Sequence, residues 1–206
     1  MEIICKPLGP VQANCYVIID NGHALVIDPG DEYIELKSIL RKYNAELDAV
    51  LLTHAHFDHI AGVDAMLKDF PVDVYLNPAE FDFLSDARLN ASLSFYQQVV
   101  CHAKPKALKE GRQQIESFTV DVKFTPGHSI GSSIFRIENN VFTGDTLFQG
   151  SVGRMDLPTG SAAQMEESIA YLKTLPDEWN VYPGHGPQSK IEYEKRWNPY
   201  FRTNLF

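Results

Sequence analysis

The sequence predicts an α/β fold made of two comparable halves, each containing a β-hairpin followed by a helix. Residues 14–30 alternate apolar and β-branched side chains on both sides of residues 20–22, which read Asp-Asn-Gly, a strong hairpin-turn signal. Residues 132–145 repeat this arrangement around a second turn at 138–140, which reads Glu-Asn-Asn. Two similar halves are typical of a sandwich with a site between them.

The hairpins are each followed by apolar residues at spacings of three and four, the period of an amphipathic helix. These residues are Leu36, Ile39, Leu40 and Tyr43 in the first half, and Met165, Ile169, Leu172 and Leu175 in the second. No Gly-, Pro- or Ser-rich linker and no low-complexity tract divides the chain. Because 206 residues with 44% hydrophobic content can bury one sizeable core, we expect residues 1–206 to form a single domain.

A histidine-rich run at residues 53–59, which reads Thr-His-Ala-His-Phe-Asp-His, carries the clearest functional signal. It follows the apolar, strand-like residues 50–52 and precedes helix-spaced apolar residues between 60 and 70. The run is therefore predicted to form a strand-to-helix loop. A solvated turn accounts for one histidine but not for three, whereas imidazole and carboxylate are common metal ligands. The candidate ligands in this run are His54, His56, Asp58 and His59.

Three further candidate ligands lie in separate loops, each beside a glycine. His128, Asp145 and His185 each follow a predicted strand. Alone, either histidine is more simply an ordinary loop residue. Because ligands of α/β proteins gather at the carboxyl ends of strands, we expect all three to join the first cluster at one sheet edge.

The order of these motifs resembles that of the metallo-β-lactamase-fold hydrolases. H-x-H-x-D-H, Gly-His, Gly-Asp-Thr and a second Gly-His occur in family order within residues 14–186. Residues 153–158, which read Gly-Arg-Met-Asp-Leu-Pro, resemble the short glyoxalase II-like (hydroxyacylglutathione hydrolase-like) branch. The resemblance implies an αββα four-layer sandwich of the metallo-β-lactamase type, with the metal site at the sheet edge.

The same resemblance implies two divalent metal ions, with Zn²⁺ favoured and Fe or Mn as alternatives. The first ion would be held by His54, His56 and His128, and the second by Asp58, His59 and His185. Asp145 would bridge them. Three protein ligands per ion plus a shared carboxylate leave open coordination positions, which catalytic zinc keeps. Two ions about 3.5–4 Å apart can generate hydroxide near neutral pH.

The implied activity is a glyoxalase II-type thioesterase that cleaves 2-hydroxyacyl thioesters by attack of a metal-bridging hydroxide. Asp58 would be the catalytic residue that orients this hydroxide and takes its proton. A thiolate, with a free pKa of roughly 8.5, leaves without a strong acid donor, which suits a site lacking an obvious general acid. Hydrolysis of another small ester or lactone stays open.

The thiol carrier is less well specified. Arg154 matches the position of a basic residue that contacts the carrier in glyoxalase II enzymes, and it suits a substrate carboxylate; a surface arginine that fastens the loop is the alternative. After His185, residues 186–187 read Gly-Pro where glyoxalase II has an acidic residue and a tyrosine. The chain also ends soon after residue 200, without that family's extra helical region. Both departures argue against glutathione specifically.

Two other classes of function remain open. Persulfide dioxygenases also resemble this sequence, and they use a single iron ion in a redox reaction. Their triad would correspond to His54, His128 and Asp145, a donor set that suits iron(II). The other alternative is a non-catalytic binding domain on a retained scaffold.

Charge and cysteine usage set limits on partners and location. The net charge of −9 argues against nucleic acid as a partner. The one basic cluster (Lys104, Lys106, Lys109 and Arg112) is predicted to be a solvated hairpin. Cys5, Cys15 and Cys101 form no disulfide framework, and Cys5 and Cys15 are predicted to be small core residues. With no signal peptide and no membrane-length apolar run, we expect a cytoplasmic enzyme without a membrane partner. We expect its substrate to be a small molecule. The sequence leaves the oligomeric state open.

Several residues receive weaker predictions. Asp28 is expected either to cap a turn or to support the metal ligands. Residues 77–98 carry four aromatic side chains, which either pack on the sandwich or form a lid: Phe81, Phe83, Phe95 and Tyr96. His23 and His102 are expected to face solvent without a role.

Overall fold

The computed structural model describes residues 1–94 and 98–202, and its framework consists of two six-stranded sheets. The first sheet, in spatial order, contains β1 (Glu2–Leu8), β2 (Ala13–Asp20), β3 (His23–Ile27), β4 (Glu46–Leu51), β5 (Asp73–Leu76) and β6 (Lys106–Ala107). The second sheet contains six later strands: β7 (Gly111–Ile115), β8 (Phe118–Phe124), β9 (Ser133–Ile137), β10 (Asn140–Gly144), β11 (Asn180–Pro183) and β12 (Ser189–Lys190). Its spatial order follows the chain, from β7 at one edge to β12 at the other.

Helices connect and cover these strands. The α-helices are α1 (Leu36–Tyr43), α2 (Phe57–Ile60), α3 (Val63–Asp69), α4 (Ala162–Leu172), α5 (Ile191–Trp197) and α6 (Pro199–Arg202). Two 3₁₀ segments, Pro78–Leu84 and Ser92–Ser94, lie between β5 and β6. Within the described part of the chain, no helix has the length and apolarity needed to cross a bilayer.

Side-chain alternation along the strands produces the four layers. In β2, Tyr16 and Ile18 point between the two sheets, where they meet Phe135 and Phe142 of the second sheet. Val17, one position along, points the other way, because successive strand residues face opposite sides. Both faces of β2 are therefore apolar, as expected for a strand buried on both sides.

The outer layers are helical. Leu36 and Leu40 of α1 pack on the outer face of the first sheet. Met165 and Ile169 of α4 pack on the outer face of the second sheet, against Val141 and its neighbours. The order helix, sheet, sheet, helix confirms the predicted αββα sandwich of the metallo-β-lactamase type.

Both predicted hairpins are present. The first turn places Asn21 and Gly22 at φ angles of 49° and 83°, the left-handed conformation that an Asn-Gly turn favours. The second turn places Glu138 at φ 53°. After each hairpin the next strand pairs in parallel, β3 with β4 and β10 with β11. The carboxyl ends of these four strands therefore meet at one edge.

The structure differs from the sequence-based prediction at the helix after residue 60. The single helix expected there is two short helices, α2 and α3, separated at Gly62. Gly62 donates its N–H to the Pro29 carbonyl at 2.8 Å, and a Cβ there would lie 2.1 Å from the Asp31 carbonyl oxygen. The β3–α1 loop therefore lies against Gly62, where the helix predicted from the sequence is interrupted.

Two smaller predictions were wrong. The basic segment around Lys106 is not a hairpin, because β6 pairs with β5 in the first sheet and β7 pairs with β8 in the second. This segment therefore crosses from one sheet to the other, and Lys106 forms an ion pair with Asp73. Cys5 is exposed on the edge strand β1, whereas Cys15 and Cys101 are buried; all three are free thiols.

Candidate metal centre

Four loops at the shared sheet edge carry the predicted ligands. The β4–α2 loop carries His54 and His56, α2 itself carries Asp58 and His59, and the loop between β8 and β9 carries His128. Asp145 directly follows β10, and His185 follows β11 after one glycine. All seven side chains lie beyond the carboxyl ends of strands, the usual place for a binding site in an α/β sheet.

The first group of ligands contains three histidines. The side-chain nitrogens of His54, His56 and His128 lie within 4.8 Å of one another, and all three residues are buried. Nδ1 of His56 is 2.8 Å from Nε2 of His128. Nδ1 of His54 lies 3.1 Å from the Thr53 hydroxyl, which leaves Nε2 of His54 as its available ligand atom.

The second group contains Asp58, His59 and His185, whose ligand atoms also lie within 4.8 Å of one another. Oδ2 of Asp58 is 3.1 Å from Nε2 of His185 and 3.7 Å from Nε2 of His59. One carboxylate and two imidazoles form a donor set that suits Zn²⁺ or iron.

Asp145 lies between the two groups. Its Oδ1 is 3.4 Å from Nε2 of His59. Its Oδ2 is 3.5 Å from Nε2 of His128 and 3.6 Å from Nε2 of His185. One carboxylate therefore faces ligands of both groups, which is the position expected of a bridging ligand.

Unpartnered buried atoms provide an independent test of whether these residues suit a cation. In the described part of the chain, the buried side-chain atoms that lack a hydrogen-bond partner all belong to this cluster: Nε2 of His54, Nε2 of His56, Nε2 of His59 and Oδ1 of Asp145. A buried polar atom without a partner costs roughly 1–3 kcal/mol, so such atoms need a reason. Divalent cations bound among these donors would satisfy most of them, and the residues therefore fit a metal site.

The electrostatics of the first group favour its metal-binding form. Burial lowers the pKa of His54 well below its usual value, and the neighbouring imidazoles lower it further. Burial, aided by His128, lowers the pKa of His56 to about 3. Both imidazoles are therefore neutral at pH 7, and neutral imidazole is the form that binds metal.

The second group has the opposite charge pattern. Burial alone would lower the pKa of His59, but the carboxylates of Asp58, Asp145 and Asp28 outweigh it and raise that pKa well above its usual value. Burial opposes ionisation of Asp145, yet His59 and His128 hold the pKa of Asp145 well below its usual value. In the metal-free protein, a proton on His59 thus partly compensates the surrounding carboxylates, and a cation can replace it.

Asp28 supports this second group. Its Oδ1 accepts the Thr53 backbone N–H at 2.8 Å, and its Oδ2 accepts the Thr53 hydroxyl at 2.6 Å. Oδ2 also lies 2.9 Å from Nδ1 of His59, so Nδ1 of His59 donates to it and Nε2 faces the site. Of the two predicted roles for Asp28, the contacts favour ligand support.

Sequence reasoning missed two other buried polar residues. The amide nitrogen of Asn14 donates to the carbonyls of Pro183 and Gly186, both at 2.9 Å, and so encloses the loop that carries His185. Glu80 connects the His54–His56 loop to the loop that carries His128. An amide within the otherwise apolar β2 was a possible signal for Asn14, but nothing in the sequence around Glu80 marks it.

A cavity of about 370 Å³ opens over the metal cluster. Ligands form its floor, and its apolar wall consists of Val11, Phe57, Ala91, Phe148 and Leu157. Larger clefts elsewhere in the described residues contain none of the seven ligands. The site is therefore open to a small molecule on one mostly apolar side.

Arg154, the predicted substrate-binding residue, lines this cavity. Its guanidinium donates to both carboxylate oxygens of Asp156, at 2.6 and 2.7 Å. Its backbone carbonyl accepts a hydrogen bond from Nδ1 of His128 at 2.8 Å. The loop therefore fixes the His128 ring, while contact between the Arg154 side chain and substrate stays a prediction.

The remaining predicted residues lie away from the ligands. His102 faces solvent as expected, with 80% of its side chain exposed, and it contacts Asp64. His23 is only partly exposed and lies 2.8 Å from Asp48. Phe83 is buried in the core, with Phe81 packed against the same cluster, which confirms the packing interpretation for both residues. The other two aromatic residues of this segment, Phe95 and Tyr96, lie outside the described residues.

Comparisons with known proteins agree with this fold and site. The model of the Metallo-beta-lactamase superfamily matches residues 8–185. The chain is 38% identical over 200 residues to "Probable metallo-hydrolase YqgX" of Bacillus subtilis, covering 94% of each protein. It is 31% identical over 211 residues to "Hydroxyacylglutathione hydrolase GloC" of Haemophilus influenzae, covering 98% of this chain and 99% of that protein.

Two solved structures are also similar. The crystal structure of BLEG-1 B3 metallo-beta-lactamase superposes with a TM-score of 0.93 at 37% identity, covering 98% of this chain and 100% of the other. That of TTHA1623 in a di-iron-bound form superposes with a TM-score of 0.86 at 36% identity, covering 96% and 99%.

The fold and the ligand cluster define an αββα protein with a divalent metal site. This chain belongs to the metallo-beta-lactamase superfamily, within its metallo-hydrolases, and its relatives include a hydroxyacylglutathione hydrolase.

Proposed function

We propose that this protein is a binuclear, zinc-dependent thioesterase that cleaves 2-hydroxyacyl thioesters. The observation that carries the proposal is the position of Asp145 between two complete three-residue groups. A single ion would leave one group, with its buried and unpartnered atoms, unexplained. This argument favours two ions over the one-iron site of a persulfide dioxygenase, which needs only His54, His128 and Asp145.

When bound, two divalent ions would supply a water of lowered pKa and a Lewis acid for the thioester carbonyl. The residues of the chain orient the reactants. Asp58 places its carboxylate between His59 and His185, where it can accept the proton of an attacking water. Asp145 lies within 3.6 Å of histidines of both groups, so its carboxylate connects the two groups. A departing thiolate needs no strong acid, and the site requires none.

The cavity suits a small acyl group. Its apolar wall excludes bulk water from the reacting carbonyl, which strengthens the electrostatic contacts at the cluster. Among the described residues that line this cavity, Arg154 carries the one guanidinium, and this group donates to Asp156. We propose that it meets the thiol carrier and not the acyl group.

The similarity to GloC supports thioester hydrolysis. The similarity to BLEG-1 B3 metallo-beta-lactamase favours β-lactam hydrolysis as a second candidate. The two candidates differ in the bond that breaks: a β-lactam amide expels an amine, which is a much poorer leaving group than a thiolate. A site without a general acid is better suited to the thioester.

The proposal is tested by measuring metal content together with the hydrolysis of S-lactoyl thioesters, simple esters, a lactone and a β-lactam. Two zinc ions per chain and preferred hydrolysis of the thioester are expected. One iron per chain with oxygen consumption would support a dioxygenase instead, and preferred hydrolysis of the β-lactam would support the second candidate.

Asp58→Ala and Asp145→Ala should each lower kcat/KM for S-lactoyl thioesters by at least roughly a hundredfold, because each removes a ligand. Asp177→Ala is the control, since Asp177 is an exposed acid paired with Lys195. Its activity should match that of the unmodified protein. Full activity in either ligand variant would contradict the site assignment.

A further inference from the structure

Glu80 is a fully buried acid that forms no ion pair among the described residues, although the nearby charge of His59 favours its ionised form. It is 0% exposed, at the first turn of the 3₁₀ segment Pro78–Leu84. Its Oε2 accepts the backbone N–H of Ala55 at 2.5 Å. Its Oε1 accepts the backbone N–H of Gly131 at 2.8 Å and the hydroxyl of Ser129. Charge-assisted hydrogen bonds of this kind are stronger than neutral ones.

These three donors belong to two loops, and each loop carries histidines of the first group. Ala55 lies between His54 and His56, and Ser129 directly follows His128. Glu80 therefore joins the two backbone segments that carry all three histidines of the first group. It touches none of the ligand side chains, so it acts on their backbone positions and is not itself a ligand.

The packing around Glu80 leaves it little freedom. A Cβ on Gly131 would lie 2.6 Å from Cγ of Glu80 and 2.9 Å from its Cδ. Only glycine therefore allows the loop after His128 to approach the carboxylate so closely. Such fixed contacts keep the backbone of a site in place before a ligand binds.

The second group of ligands depends on a different carboxylate. Asp28 lies 2.9 Å from Nδ1 of His59 and also bonds Thr53, whose hydroxyl is 3.1 Å from Nδ1 of His54. Glu80 forms no hydrogen bond with Thr53 or His59, and all of its hydrogen-bond donors lie on the segments that carry the first group. We therefore expect Glu80 to act mainly on the first group.

We propose that Glu80 is a positioning residue for the first metal ion, and that the first ion depends on Glu80 more than the second does. The inference rests on the two-ion centre of the proposed function but not on its thioester substrate. Metal binding therefore tests it independently of the reaction.

Glu80→Gln is the informative variant because it preserves size and shape. A carboxylate accepts through both oxygens, whereas an amide presents N–H₂ on one side. In one orientation this N–H₂ faces the Ala55 N–H, and in the other it faces the Gly131 N–H. One loop must therefore move away. Loss of an outer support typically lowers metal affinity about tenfold to a hundredfold.

The matched control is Glu194→Gln. Glu194 is also 0% exposed, and it accepts hydrogen bonds from the Gly150 N–H at 2.9 Å, the Asn198 amide at 2.8 Å and the Ser189 hydroxyl. None of these partners lies within three residues of a proposed ligand. The two substitutions thus remove similar buried carboxylates, but only Glu80 is bonded to the segments that carry proposed ligands.

The experiment titrates zinc into the metal-free full chain against a competing chelator and resolves the two stepwise affinities. In Glu80→Gln we expect one affinity to fall by about tenfold or more while the other changes by less than about threefold. Loading with ¹¹³Cd identifies the affected ion, because three nitrogen donors and two nitrogen donors give different NMR shifts. In Glu80→Gln, the ¹¹³Cd resonance of the three-histidine site should be the one that is lost first as the metal concentration is lowered.

Equal weakening of both ions in Glu80→Gln, or the same weakening in Glu194→Gln, would overturn the proposal. So would unchanged zinc affinity in Glu80→Gln. If Glu80→Gln does not fold, Ser129→Ala removes only one of the three donors and keeps the carboxylate. Ser129→Ala should then lower the affinity of the same three-histidine site by a smaller factor, and an unchanged affinity there would refute the role of Glu80.

Discussion

Arg154 directs its guanidinium at Asp156, two residues further along the chain, with two hydrogen bonds of 2.6 and 2.7 Å. Both side chains are mostly exposed, and Arg154 also lines the cavity over the metal cluster. A substrate carboxylate would have to compete with Asp156 for this guanidinium. If the proposed thioester substrate is correct, Asp156 would therefore weaken the attraction of Arg154 for acidic thiol carriers.

Asp156→Asn should raise kcat/KM for S-lactoyl thioesters of carboxylate-bearing thiols by roughly two- to fivefold, since an exposed ion pair is weak and easily replaced. Thioesters of a neutral thiol such as N-acetylcysteamine should be hydrolysed at an unchanged rate. Steady-state kinetics with the two carriers measures the difference. An equal change for both carriers would show that Arg154 does not contact the carrier.

Asn14 stabilises the loop that carries His185 through hydrogen bonds to two backbone carbonyls. Replacing it with Ala removes the side-chain donor to the Gly186 carbonyl and one of two donors to the Pro183 carbonyl, which keeps the Tyr16 hydroxyl at 2.6 Å. The loss should cost about 1–3 kcal/mol of unfolding free energy. The His185 loop should also loosen, so zinc should stabilise the variant less than it stabilises the unmodified protein. Urea unfolding with and without zinc measures both effects.

Asn198→Ala serves as the control for Asn14. Asn198 is equally buried, and its amide donates to the Ser151 carbonyl and to Glu194, away from the ligands. A similar loss of unfolding free energy is expected, but with the full stabilisation by zinc retained. If both variants respond to zinc alike, Asn14 has only a structural role.

At the scale of elements, the sequence predicted which segments come together at the sheet edge, but it did not predict the buried residues that support them. Three histidines and an aspartate within six residues have no explanation in folding alone, so the β4–α2 loop was recognisable as a metal site. Glu80 and Asn14 act on backbone N–H and carbonyl groups, which no residue type marks. Their partners lie as far as 172 positions along the chain, so only the folded structure reveals the contacts.

The division of the predicted helix after residue 60 also depends on a contact between segments that are distant in the sequence. Its apolar spacing was correct, but the β3–α1 loop presses on Gly62 and interrupts the helix there. Local periodicity carries no information about a neighbouring loop. The two hairpins, by contrast, were predictable because their turn residues determine their geometry locally.

His23 at the start of β3 gives an element-scale prediction about pH. Its hydrogen bond to Asp48 of β4, with help from the nearby charge of Glu46, raises the pKa of His23 above its usual value near 6.5. A raised pKa means that the protonated form stabilises the fold. This stabilisation is fully present below about pH 6.5 and is lost as the pH rises through the folded-state pKa.

His23→Gln should therefore lower Tm at pH 6 by more than it does at pH 9. Because His23 is partly exposed, solvent screens the contact and the difference should be small, on the order of 1 °C. Thermal unfolding of both proteins across this pH range provides the measurement. A Tm difference that does not vary with pH would show that the contact carries no net charge effect.

At the scale of the whole molecule, the two halves have a similar plan and contribute unequally to the site. The first half supplies four ligands from one loop, and the second supplies three from three loops. The sequence predicted two halves from hairpins and helical spacing, but the four-layer arrangement came only from family resemblance. Layer order depends on which strand face meets which sheet, and the doubly apolar strand β2 does not reveal this by itself.

The central claim is that two cations lie between these halves, bridged by Asp145. Crystals of the zinc-loaded protein, measured on both sides of the zinc absorption edge, test it most directly. We expect two anomalous peaks, one within coordinating distance of His54, His56 and His128 and the other within coordinating distance of Asp58, His59 and His185. A single peak, or peaks away from these side chains, would contradict the account.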